Sequence, residues 1–92
     1  MTRQIQLTLI GKSGCHLCDD ARLAVERVLS GFRQAHPAVE ISVTEIDMMN
    51  DPALIAKYAE EVPVLLINGK QHSYWTIDDS RLRASLDALA DT

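Results

Sequence analysis

Ile5-Gln6-Leu7-Thr8-Leu9-Ile10-Gly11-Lys12-Ser13-Gly14-Cys15-His16-Leu17-Cys18 is the stretch on which the reading of this chain turns. Its first half alternates apolar and polar side chains and ends in Ile10-Gly11, the pattern of a half-buried strand running into a turn. Lys12-Ser13-Gly14 reads as loop. From Cys15 the period changes: Leu17, Ala21, Ala24, Val25, Val28 and Phe32 recur at spacings of three and four, predicting a helix with one buried stripe. Asp19 and Asp20 fall in its first turn and Arg27 and Arg33 toward its end, as the helix dipole prefers. Gly31 and Pro37 bracket its stop.

The junction therefore puts Cys15 where a helix begins. A thiol reacts as its thiolate, and unpaired backbone N–H groups at a helix start favour that charge. Cys18 follows one turn later, close enough to attack a mixed disulfide formed by Cys15. These are the chain's only two cysteines. Lys12, three residues ahead, can supply positive charge to a Cys15 thiolate, and His16 adds to it when protonated. Asp19 and Asp20 oppose both.

Downstream, Val39, Ile41, Val43 and Ile46 mark a second strand closing at Asp47. Asp51-Pro52 provides an N-cap followed by proline at the first helical position, opening a short helix through Ala59. Val62-Pro63-Val64-Leu65-Leu66-Ile67 is a third strand, apolar enough to be buried on both faces. Asn68-Gly69 signals a two-residue hairpin into a fourth strand over Lys70 to Trp75. Asp78 or Asp79 then caps a last helix with Leu82, Leu86 and Leu89 facing inward. A helical crossover makes the first two strands parallel, and the hairpin makes the last pair antiparallel.

This βαβαββα order is that of an α/β fold with a four-stranded mixed sheet between helical layers. With Cys-x-x-Cys after the first strand and Pro63 opening the third, it resembles the thioredoxin fold. The shortness of the chain and the early first strand make the glutaredoxin-like branch the better match. Lys12, Cys15, Cys18 and Val62-Pro63 carry the resemblance, which extends from about Ile5 to Leu89. It implies a three-layer sandwich, a cis peptide before Pro63 facing the reactive cysteine, and a Val62 backbone that pairs with an extended thiol substrate. It also implies a glutathione site after the fourth strand, where Asp78 or Asp79 would supply a carboxylate. The family's glycine pair is absent there, Thr76-Ile77 standing in its place, and His16-Leu17 replaces its usual Pro-Tyr.

At 92 residues the chain is expected to form one domain over 1–92, since neither half would hold a core. A 47% hydrophobic content allows a packed interior, and 4% aromatic content makes that interior aliphatic. The net charge of −4, with no run of Lys or Arg, argues against nucleic acid or an anionic membrane as partner. The apolar run Ile5–Ile10 is too short for a membrane span or a signal segment. A cytoplasmic monomer is expected, and in that compartment a lone Cys-x-x-Cys is catalytic or metal-binding rather than a structural staple.

A metal centre needs further ligands, and His16, His36 and His72 lack the spacing of a second half-site; His36 and His72 read as surface residues. Gly11-Lys12-Ser13 resembles the end of a phosphate loop, but Gln6 stands where its leading glycine belongs. Met48-Met49 reads as turn and core filler. Tyr74 and Trp75 pack at the sheet edge, and Arg81 and Arg83 line a solvated helix face. The sequence thus predicts a glutaredoxin-like thiol–disulfide oxidoreductase acting on protein disulfides or glutathione mixed disulfides, with no tightly held cofactor and glutathione as a candidate co-substrate. The competing reading is a binding module of the same fold whose cysteines hold a metal or iron–sulfur cluster or contact a protein partner.

Overall fold

A computed structural model of the chain describes residues 3–91. Its elements follow the order β1 (Arg3–Gly11), α1 (His16–Ala35), β2 (Val39–Asp47), α2 (Pro52–Tyr58), β3 (Val64–Ile67), β4 (Lys70–Tyr74) and α3 (Asp79–Ala90), with a short 3-10 turn at Met48–Asn50. The strands form one sheet in the order β2-β1-β3-β4, β1 being parallel to β2 and antiparallel to β3, and β4 antiparallel to β3.

Strand alternation divides the core. Ile5, Leu7 and Leu9 share one face of β1 and pack with Ala21, Val25, Leu29 and Phe32 of α1 and Leu82 and Leu86 of α3. Ile10, an even position, follows the same alternation to the opposite face, where Met48, Tyr58, Val62 and Val64 form a second cluster, joined by Leu54 and Ile55 of α2. The second cluster lies at one end of the sheet, the end at which Gly11 pairs with Asp47 and Ile10 with Val64. That end carries Cys15, which follows β1.

At the opposite end, Asn68 and Gly69 take the left-handed conformation, with φ of 52° and 84°, as a two-residue hairpin turn requires. The Asn68 N–H donates to the Gln6 carbonyl (2.8 Å) and the Gln6 N–H donates to Asn68 Oδ1 (2.9 Å), extending the β1–β3 ladder by one reciprocal step.

Several sequence expectations need correction. Leu17 is 45% exposed rather than part of the buried stripe, because Cys18 takes the inward position in the first turn and Leu29 completes the stripe below. Leu89 is also partly exposed, lying in the last turn of α3 after the core-facing Leu82 and Leu86. The third strand begins at Val64, after a cis Val62–Pro63 peptide. The fourth ends at Tyr74, because Trp75 adopts a φ of 67° that no strand accommodates.

His36 is not a free surface residue. It is the C-cap of α1, stacks on Phe32 and lies 3.0 Å from Asp87 of α3, which also accepts from Arg83 Nε (2.9 Å). These contacts hold Asp87 below the ordinary carboxylate range, the Arg83 hydrogen bond contributing most. His72 is half-buried, at the register shift between Leu65 and Leu66, and burial followed by the Arg81 charge lowers its pKa. Arg83 is tied to Asp87 rather than simply solvated.

Candidate active site: a dithiol at the start of α1

Cys15 is the N-cap of α1, with extended backbone, and its Sγ accepts a hydrogen bond from the Cys18 backbone N–H (3.2 Å). Its carbonyl accepts from the Asp19 N–H, as the first residue of a helix cap does. A sulfur so placed sits against the donors that a helix start leaves without backbone partners. Cys15 is partly open to solvent, whereas Cys18 is 5% exposed; both are free thiols.

The buried thiol is the perturbed one. Burial, followed by a hydrogen bond to Cys15, pushes the Cys18 thiol up to about 11, while the Lys12 backbone N–H and side-chain charge pull the other way. Lys12 thus acts on Cys18 as well as standing three residues before Cys15. His16, the first residue of α1, is exposed beside the pair.

Gly11 was read from sequence as a turn residue only. In the fold it ends β1 against Cys18: a Cβ built there would stand 3.0 Å from Cys18 Sγ and 3.3 Å from its Cβ. Only glycine lets the strand end approach the buried thiol without displacing it. Asp47, paired with Gly11 across the β1–β2 register, accepts from Ser13 Oγ (3.1 Å) and from the Met49 N–H (2.9 Å), fastening the loop that leads to Cys15. The sequence held no local signal for this link. A cavity of about 230 Å³ lies behind Cys18, lined in part by Lys12, Arg22, Glu45 and Asp47.

Pro63 is buried and its carbonyl accepts from the Trp75 N–H (2.9 Å), while Trp75 Nε1–H donates to the Glu60 carbonyl (2.8 Å). Val62 and Pro63 lie next to Val64, whose partner on β1 is Ile10, so they flank the same sheet end as the cysteines. Asp78 caps α3, accepting from the Arg81 N–H at 3.1 Å. Its carboxylate is committed to that helix, and Asp79 to Arg27 of α1. Among the described residues, no group of three or more His, Cys, Asp or Glu side chains could hold a metal ion. No helix among them is long and apolar enough to cross a membrane.

Comparison with known proteins places this geometry in context. The chain matches the Glutaredoxin-like domain (DUF836) over residues 6–87. It is 31% identical over 81 residues to the uncharacterized protein Rv0508 of Mycobacterium tuberculosis, covering 88% of this chain and 81% of that one. The crystal structure of protein XcR50 from X. campestris is 35% identical and superposes with a TM-score of 0.69, covering 89% of this chain and 96% of the other. A mutant thioredoxin from Halobacterium salinarum superposes at 0.61 with 19% identity, covering 98% of this chain and 78% of its own; that likeness concerns the fold, which is thioredoxin-like.

Proposed function

Because the chain belongs to the glutaredoxin-like domain family, we propose that it is a thiol–disulfide oxidoreductase whose Cys15 and Cys18 cycle between dithiol and disulfide. One observation carries the reading: a partly exposed Cys15 sulfur accepts the first-turn N–H of α1, with a second, buried thiol one turn behind it.

In the reaction, Cys15 attacks one sulfur of a substrate disulfide as thiolate, and the other substrate sulfur leaves as a thiol after taking a proton. Cys18 then gives its proton to solvent and displaces the second substrate sulfur from Cys15. The dithiol supplies two electrons; the products are the Cys15–Cys18 disulfide and two substrate thiols. Lys12 and His16 support the charged sulfur at Cys15, and Lys12 helps ionise Cys18 for the second step. The Val62 backbone and Pro63 present the docking edge for an extended substrate. A reducing compartment such as the cytoplasm would keep the pair in its dithiol form.

Asp78 is the weakest of the proposed substrate contacts, since its carboxylate already caps α3. Glutathione and a thioredoxin-type reductase are the two electron donors to offer the disulfide form.

The direct test is equilibration in glutathione buffers of graded potential, quenched by alkylation and read by intact mass. A two-electron transition with a defined midpoint is the expected result. A stable single glutathione adduct would assign monothiol chemistry to Cys15, and no change across the range would overturn the proposal.

A further inference from the structure

The cysteine end of the molecule differs from the rest in both apolar exposure and charge. Seven large apolar side chains are exposed among the described residues, and four of them, Leu17, Met49, Tyr74 and Trp75, belong to this end. Leu17 stands between the two cysteines. Met49 follows Asp47, the partner of Gly11; Tyr74 pairs with Val64, the partner of Ile10; and Trp75 is bonded to the Pro63 and Glu60 carbonyls.

Charge is distributed just as unevenly. Asp19 and Asp20 open α1, Glu45 and Asp47 end β2 and line the cavity behind Cys18, Asp51 caps α2, and Glu60 and Glu61 lead into Val62-Pro63. Against these seven carboxylates the same segments offer three fixed cations, Lys12, Arg22 and Lys57. Arg22 is already paired with Asp19 and Glu45. The six remaining carboxylates of the chain are matched in number by six remaining cations, so these segments alone carry a net charge of −4.

We infer that the substrate of this dithiol is a disulfide in a polypeptide segment bearing basic and apolar residues around its cysteine, and that glutathione disulfide, an anion, is disfavoured. The inference rests on the dithiol reading above and adds its substrate class. Apolar side chains flanking the substrate cysteine find Leu17, Met49 and Trp75 exposed at the same end of the molecule, where their burial favours the encounter. Basic residues beyond them meet uncompensated carboxylates. Such complementarity acts mainly on the rate of productive encounter and weakens as salt screens it. The lack of a glycine pair before Asp78, and the engagement of both Asp78 and Asp79 in other bonds, agree with a site not built around glutathione.

The test uses the reduced full chain and three probes: a synthetic peptide disulfide with Leu and Lys flanking its cysteine, the same peptide with Glu for Lys, and oxidised glutathione. Rapid acid quench, alkylation and mass measurement give the rate of Cys15–Cys18 disulfide formation with each. The basic peptide should react at least about tenfold faster than the acidic one at low ionic strength, with the ratio falling toward one as salt is raised. In the variant carrying both Glu60→Gln and Glu61→Gln, that ratio should shrink. Equal rates, or a preference for the acidic peptide or glutathione disulfide, would overturn the substrate inference and leave the dithiol chemistry standing. Failure of every probe to oxidise the pair would overturn both.

Discussion

The start of α1 and the start of α3 are built alike and do different things. Each helix begins after an extended residue whose side chain accepts an N–H two or three positions on: Cys15 Sγ from Cys18, and Asp78 Oδ1 from Arg81. Asp51 does the same for α2. A carboxylate is the stronger cap, and a cysteine sulfur is an indifferent one. At α1 the chain carries the poorer cap, in the one place where an N-terminal helix environment would make a sulfur useful. The same backbone geometry that lets Asp78 cap α3 sets a sulfur against the first-turn N–H groups of α1 at Cys15.

Exchanging the caps breaks the comparison most severely. Cys15→Asp should abolish disulfide reduction altogether while raising stability by roughly 0.5–1 kcal/mol, the usual gain from a good cap. Activity assays with denaturant unfolding would check both, and an unchanged stability would mean that the sulfur caps as well as a carboxylate does. Cys18→Ser should leave the first attack intact and halt the second, so that mixed disulfides at Cys15 accumulate and are visible by intact mass; rapid release of substrate would remove Cys18 from the cycle.

A smaller effect is expected where the strand meets the thiol. Gly11→Ala forces Cys18 to shift, because the new Cβ would stand 3.0 Å from its sulfur. Crowding of this kind costs about 1–3 kcal/mol, and the resolving step should slow while the initial attack by Cys15 changes less. Single-turnover kinetics separate the two, and an unaltered resolving step would show that the sulfur has room to give. Asp78→Ala should cost only about 1 kcal/mol, through α3, and leave the dithiol midpoint where it was; a moved midpoint would tie the α3 cap to the redox site.

A further change is expected with pH. The folded state raises the Cys18 thiol from 9.0 to about 11, so it holds its proton more tightly than the unfolded chain does. Stability should be fully present below about pH 9 and decline as pH rises toward 11, because there the unfolded state binds fewer protons. Urea midpoints of the wild type and Cys18→Ser across that range would check this: the decline should be weaker in the variant.

What could be read ahead of the structure was what is local. Strand alternation, the Asp51-Pro52 cap, the Asn68-Gly69 turn and the dithiol at a helix start all lie within a few residues of one another, and each appears in the fold. The misreadings came from tertiary geometry. Periodicity placed Leu17 and Leu89 on buried stripes, yet nothing in a helical repeat says which turns extend past the sheet they pack on. Gly11 carried no sign that a thiol would arrive from a helix one turn later. The Ser13–Asp47 and His36–Asp87 contacts join residues 34 and 51 positions apart, separations across which local propensity says nothing.

The reciprocal Asn68–Gln6 pair, at the end of the sheet away from the cysteines, bears on their placement at a distance. It locks the alignment of β1 with β3 by letting a turn side chain act as one further strand residue. Since β1 leads to Cys15 and β3 begins just after Pro63, slippage by a single residue would carry Cys15 about 3.3 Å past Val62-Pro63 and turn the strand's core face outward. The hairpin tip serves as the zero mark of a ruler on which the position of Cys15 is read off at the other end.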